Sequence, residues 1–148
     1  MRRFGEAIVR GQAYRPRPGA YAVLMRAGRV LITHQSEPRP EFQLPGGGID
    51  PGEGALQALH REVFEETGWS IGAARRLGAY RRFTYMPEYD RWAEKICTVF
   101  LARPVLRRGP PSEPGHRAVW MAPEAALDRL ATEGDRHFLA QVLQGATR

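Results

Sequence analysis

The apolar positions of the chain change their spacing along its length, and each change predicts an element. The runs AYAVLMR (20–26) and RVLITH (29–34) are separated by Ala27-Gly28 and predict a β-hairpin. The next stretch, SEPRPEFQLPGGG (36–48), carries three prolines and three consecutive glycines and predicts loop for most of its length. From Pro51 to Thr67 the spacing predicts a helix, with Gly68 as its stop. Its start reads as Asp50 at the N-cap, Pro51 at the first helical position and Glu53 closing a capping box.

RRLGAYRRFTY (75–85), EKICTVFLARPV (94–105) and AVWM (118–121) predict further strands. Loops are expected at MPEYDRW (86–92) and RRGPPSEPGHR (107–117), and helices at APEAALDRLA (122–131) and DRHFLAQVLQ (135–144). With no repeat and no linker, strands mixed with helices predict one α/β layered domain over residues 1–148. A chain of 148 residues suffices to bury ~70% of its unfolded surface.

No apolar run reaches membrane-spanning length and no signal-peptide core is present, so a cytoplasmic protein without membrane contact is expected. The single cysteine, Cys97 in KICTVFLA, rules out an internal disulfide and reads as a buried core thiol. The formal net charge of +6 comes from 21 arginines against one lysine, Lys95. Arginine forks match phosphate and carboxylate oxygens, although a genome-wide bias toward arginine explains the count equally well. The arginines are scattered, and neither a basic helix nor zinc-ligand spacing points to specific nucleic-acid recognition.

Against that basic background, HREVFEETG (60–68) crowds Glu62, Glu65 and Glu66 into little more than one turn. Like charges at this spacing destabilise a helix by roughly 0.2–0.5 kcal/mol per pair. Projected at about 100° per residue, the glutamates border the apolar stripe of Leu56, Leu59 and Val63 instead of opposing it, with Ala55 and Ala58 on their side. Carboxylates held at the edge of a core repel and take up protons unless a cation lies between them. Hard divalent cations with oxygen ligands suit such a cluster. A solvated acidic face is the alternative reading.

The upstream spacing bears on that choice. From Gly47 the chain runs through five residues to Glu53, seven more, then Arg61-Glu62-Val63-Phe64-Glu65-Glu66-Thr67-Gly68-Trp69. These 23 residues resemble the Nudix box, the signature of Nudix hydrolases, with Trp69 at a last position that is usually aliphatic. The preceding hairpin, FQLPGG and the later VW strand are also similar to that family, extending the resemblance over much of residues 20–131.

The resemblance implies a Nudix fold, a mixed β-sheet sandwiched between helices. It implies hydrolysis of a diphosphate linked to another moiety, by water attack at phosphorus, with Mg²⁺ or alternatively Mn²⁺. Glu62 and Glu66 match the family's metal ligands, Glu65 an assisting one, and the carbonyl of Gly46 or Gly47 a further ligand. Arg61 matches an arginine that orients a catalytic glutamate; a plain i,i+4 pair with Glu65 is its structural alternative. Glu53 is explained either by capping alone or by added contact with the metal site or Arg61. The glycines 46–48 allow close backbone approach to metal and phosphate, in a spacing unlike that of a P-loop.

The box does not name the general base. Glu62 is one candidate, with Glu113, Glu88, Asp90 and Glu94 beyond it, and His116 stands where many relatives place an acid. In YRRFTYMPEYDRW (80–92), aromatic residues interleave with three arginines that could stack a base and clamp phosphates, or pack on the sheet. Arg39, Phe42, Tyr85, Glu113 and His116 are the candidate substrate contacts. Tyr85 suits a dinucleoside polyphosphate substrate, and Pro87 lies slightly beyond the position of a proline in ADP-ribose hydrolases. Nucleotide sugars and capped or triphosphorylated RNA ends also remain as substrates. A Nudix-fold binding or regulatory module without catalysis is the alternative class. The oligomeric state is open, with a homodimer among the options.

Overall fold

In the computed structural model, which describes residues 1–146, eight strands and three helices are built in the order β1 (Arg2–Gly5), β2 (Arg15–Arg26), β3 (Arg29–Gln35), β4 (Glu41–Gln43), β5 (Gly46–Gly48), α1 (Ala55–Thr67), β6 (Trp69–Met86), β7 (Arg91–Arg107), β8 (His116–Met121), α2 (Pro123–Arg129) and α3 (Glu133–Ala146). The last two residues of the expected domain, 147 and 148, lie outside the described residues. Among the described residues no helix is long and apolar enough to cross a membrane.

The sheet runs β1-β6-β7-β2-β3-β4, with β5 also paired to β2 and β8 to β3. The β1/β6 and β2/β7 pairs are parallel and the others antiparallel, which makes the sheet mixed. Helices cover both faces, and the alternation along β2 shows how. Ala20, Ala22 and Leu24 point to one side and pack with Leu59 and Val63 of α1. Val23 points to the other and packs with Val99, Tyr80, Leu130, Phe138 and Leu139 under α2 and α3. A strand buried on both faces reads as a continuous apolar run, as AYAVLMR does.

The hairpin at Ala27-Gly28 forms as expected, with φ of 50° and 76° at the two turn residues. Other boundaries move. The stretch expected as loop contains β4 and β5, and Met86, Arg91 and Trp92 belong to strands. Helix α1 begins at Ala55, not Pro51, with Gly54 at its N-cap. Asp50-Pro51-Gly52-Glu53 instead closes a turn, in which the Asp50 carbonyl accepts from the Glu53 amide at 2.9 Å and Gly52 has φ 81°. Pro followed by Gly at the two central positions is the type II turn signal, and it outcompetes helix initiation. The bond expected of the capping box survives inside this turn, the Asp50 amide donating to Glu53 Oε1 at 3.0 Å. Leu56, expected in the buried stripe, is 48% exposed, while Ala58, expected on the glutamate side, is buried with Leu59 and Val63.

Gly68 ends α1 as expected, with φ 78° and its amide donating to the Phe64 carbonyl at 2.8 Å. A Cβ there would lie 1.9 Å from the Gly109 carbonyl oxygen. Left-handed backbone costs a non-glycine residue roughly 1–2 kcal/mol before any clash. Gly68→Ala is therefore expected to lower unfolding stability by more than ~2 kcal/mol in urea denaturation; a loss under ~0.5 kcal/mol would contradict this account of the helix stop.

Candidate active site

β2 has two different partners along one edge, β5 opposite Gly19–Tyr21 and β3 opposite Met25–Arg26. Near this fork lies a cleft of about 790 Å³, lined by residues from β2, β4, β5, β6, β7 and α1. That volume falls in the range of ligand pockets and accommodates a nucleotide.

Glu62 and Glu66 reach the cleft from α1 beside the glycines of β5. Two glycines are required there for different reasons. A Cβ on Gly46 would sit 2.2 Å from the Ala20 carbonyl oxygen, so only glycine lets β5 approach β2 this closely. A Cβ on Gly47 would sit 2.5 Å from the Glu62 carboxyl carbon, so the missing side chain is the space the carboxylate occupies. Glu66 is 5% exposed. Its Oε1 accepts from the Gly46 amide at 2.9 Å, and its Oε2 lies 3.2 Å from His116 Nε2. Burial raises the Glu66 carboxyl above the ordinary carboxylate value, against the lowering effect of His116 and the Gly46 amide. His116 is raised in turn, chiefly by its hydrogen bond to Glu66. Burial also raises Glu62, with Glu66 adding repulsion and Arg61 opposing both.

Arg61 organises the opposite side of these carboxylates. Its Nε and Nη2 donate to the two Glu53 oxygens at 2.8 and 2.9 Å. Nη1 donates to Glu62 Oε1 at 2.9 Å and Glu65 Oε2 at 3.4 Å, and Nη2 to the Gly48 carbonyl at 3.0 Å. The i,i+4 contact with Glu65 is thus the longest of five hydrogen bonds. Of the readings offered for Glu53, capping alone gives way to contact with Arg61, and its bond to the Asp50 amide closes a turn before the helix instead of capping it.

The predicted residues therefore fall into groups. Gly46, Glu62, Glu66, Arg39, Tyr85, Glu113 and His116 line the cleft. Arg61, Glu53 and Glu65 stand behind it, joined to one another. Phe42 does not line the cleft: its ring packs on His34 and under Arg117, against the core. Of the other candidate bases, Glu88 lines the cleft, Glu94 faces Arg81 at 3.9 Å and Asp90 accepts from the Tyr85 hydroxyl. Cys97 is buried, and burial pushes its thiol up to about 11.

Among the described residues no three His, Cys, Asp or Glu side chains converge as a ready metal cage. The donors at the cleft nonetheless fit a hard divalent cation. Two carboxylates and the carbonyls of a side-chain-free strand supply oxygen only, and burial raises both carboxylates, a penalty that a cation beside them would offset. Arg17, Arg82 and Lys95 also line the cleft. Of these only Arg82 lies in the stretch read for substrate contacts; Lys95 falls in a strand expected from sequence, and the three meet only through strand pairing distant in the chain.

The NUDIX domain profile matches residues 14–142. The chain belongs to the NUDIX family. A NUDIX hydrolase from Nitrosomonas europaea superposes with TM-score 0.71 at 22% identity, covering 88% of this chain and 90% of that one. A MutT NUDIX hydrolase from Burkholderia pseudomallei gives 0.69 at 27% identity, covering 86% and 98%. The RNA pyrophosphohydrolase of Serratia proteamaculans (strain 568) is 36% identical over 94 residues, 61% of this chain and 53% of that protein. A Bacillus subtilis (strain 168) protein with the provisional name 8-oxo-dGTP diphosphatase is 33% identical over 70 residues, 47% of each. The chain spans about half the length of these curated relatives. The expected Nudix fold, a mixed sheet between helices, is the fold of the solved relatives.

The Glu53 carboxyl is held down to about 2, first by its hydrogen bonds from Arg61 and then by the Asp50 amide. A depressed carboxylate adds stability that is whole above its unfolded value of about 4.3 and fades as pH falls through the folded one. The Glu53 side-chain carbon, followed by NMR, should accordingly titrate at about pH 2. A midpoint of about 4.3 would mean that Arg61 does not hold it in solution.

Proposed function

We infer that this chain, acting as one domain, is a divalent-metal-dependent pyrophosphohydrolase of nucleoside di- or triphosphate derivatives, with Mg²⁺ as the working cation and Mn²⁺ as a substitute. The observation that carries the reading is the meeting of Glu62 and Glu66 at the glycine strand, with Arg61 bound to Glu62 from behind. Glu62, Glu66 and the Gly46 carbonyl would hold the cation. Bound there, it neutralises charge on the phosphate oxygens and lowers the pKa of water.

The protein's own residues supply the rest. Arg61 occupies one Glu62 oxygen and fixes the side chain's direction, leaving the other oxygen toward Gly47. Glu62 is then the foremost candidate to take the proton of the attacking water, with Glu113 and Glu88 next from the cleft wall. Glu65 steadies Arg61 instead of reaching the cleft. The names of the relatives support triphosphate substrates, either free nucleotides or RNA 5′ ends. Buried free Cys97 supports a reducing, cytoplasmic setting.

Activity is best sought with a panel of nucleoside triphosphates, dinucleoside polyphosphates, ADP-ribose, nucleotide sugars and triphosphorylated RNA, read by product mass. Glu62→Gln and Glu66→Gln should each reduce turnover by about 10²-fold or more, and chelation of divalent ions should abolish it. Full activity in either variant would sink the assignment of these ligands. A panel wholly inactive with both Mg²⁺ and Mn²⁺ would point to a binding module.

Gly47→Ala supplies a separate check on the geometry. Because its Cβ would enter the Glu62 carboxylate, the variant should fold yet need roughly ten-fold more Mg²⁺ for half-maximal activity. An unchanged Mg²⁺ dependence would show that the carboxylate does not use this space.

A further inference from the structure

Strand pairing places three cations side by side across the cleft floor. Arg17 on β2 is in register with Lys95 on β7, and Lys95 is in register with Arg82 on β6. Directly opposed residues share a face, so the three side chains leave the sheet together. All three are half-buried and line the cleft. None forms an ion pair with a carboxylate among the described residues. Buried Cys97 and then Glu88 act weakly on Lys95, and Arg82 helps to lower the buried Asp135 carboxyl. Burial, then the neighbouring Arg82, pulls the Lys95 ammonium below its ordinary value.

Like charges directly across a sheet oppose folding, and half-buried charges without a carboxylate partner oppose it further. The local structure nevertheless holds each one in place. Gly5, at φ 86°, would carry a Cβ 2.4 Å from Arg82 Cγ, so its bare backbone admits the arginine stem. Arg17 donates to the Tyr89 hydroxyl at 3.5 Å, with its guanidinium carbon 4.8 Å from the ring centre. The same Arg17 Nη2 lies 3.8 Å from where a Gly48 Cβ would be, one residue from the glycine that accommodates Glu62.

We propose that Arg17, Lys95 and Arg82 form a phosphate subsite for a chain of three or more phosphates, binding the phosphate beyond the diphosphate that lies at Glu62 and Glu66. The placement at Glu62 and Glu66 rests on the hydrolase reading above; the cationic row itself does not. The ligand chemistry is a linear polyphosphate on a 5′ carbon, whether of a free nucleotide or of an RNA end. Diphosphate diesters such as ADP-ribose offer the row no third phosphate.

The test is calorimetric binding of inorganic tripolyphosphate and pyrophosphate with divalent ions chelated. Tripolyphosphate should bind the intact chain more tightly than pyrophosphate. Lys95→Met and Arg17→Gln should each weaken tripolyphosphate binding roughly ten- to hundred-fold, the scale of a charged hydrogen bond. Lys95→Arg should restore most of it, and Glu62→Gln should not weaken it. Because a like charge is removed, Lys95→Met should keep or raise the melting temperature; loss of binding together with a collapsed transition would assign Lys95 to the fold and overturn the proposal. Equal affinity in intact and row-variant proteins would overturn it as well. Competition by a nucleoside triphosphate and by a triphosphorylated RNA oligonucleotide tells the two sources apart. Binding that depends on the row without hydrolysis of any substrate would keep the subsite and discard the hydrolase.

Discussion

The Arg61 guanidinium ties together three segments: the Asp50–Glu53 turn, the glycine strand β5 and the last two turns of α1. A planar fork meets a carboxylate with two parallel bonds, and Glu53 receives that pair. The remaining donors then fall on the Gly48 carbonyl and on Glu62, which fixes strand and helix against each other. Lysine, with a point charge on a flexible stem, could not hold these directions together. The position of Glu62 is thus set from behind, by a group outside the cleft, and the side facing the cleft is left for ligand.

Close packing at the glycine strand follows from the same arrangement. β5 lies between β2 and α1, and each side demands the absence of a side chain, at Gly46 for β2 and at Gly47 for Glu62. Helix α1 presents Leu59 and Val63 to the core on one flank and Glu62 and Glu66 to β5 on the next. Core packing therefore anchors the helix that positions the carboxylates, and a shift of α1 by even part of a turn would move both. The resulting site is built on regular elements, which hold geometry more firmly than loops.

How much of this could be read beforehand depended on whether the signal was local. The acidic face, the glycines and the helix stop were legible because each is a pattern within about one helix, and the apolar runs gave the strands. The Pro51-Gly52 turn was misread because proline and an acid also open helices, and only the glycine after the proline decides between the two. β4 and β5 were invisible because their pairing partners, not their composition, make them strands. Leu56 is exposed and Ala58 buried because the buried face of α1 is centred nearer the glutamates than the apolar residues alone suggest, with Glu66 itself buried there. His116 draws notice in the sequence because it stands where relatives place an acid, but its pairing with Glu66, fifty positions earlier, arises only once β8 lies beside β3.

The cationic row is the most non-local feature of all, since Arg17, Lys95 and Arg82 share a face only once β2, β7 and β6 are in register. Its energetics run against the fold, and a sheet selected for stability alone would alternate charges there or place neutral residues. Tyr80 and Cys97, two positions along the same strands, show the alternative: on the same face, they are buried in the core under α3. The helices stop covering the face where the charges begin, so the row marks the boundary between core and cleft. Local breaches of stability that are nonetheless held in place by surrounding structure, as Gly5 and Tyr89 hold these arginines, are where function is most reasonably sought. On that argument the cleft has two oppositely charged ends, a carboxylate pair suited to a cation and a row suited to phosphate, and a polyphosphate chain is the ligand that spans both.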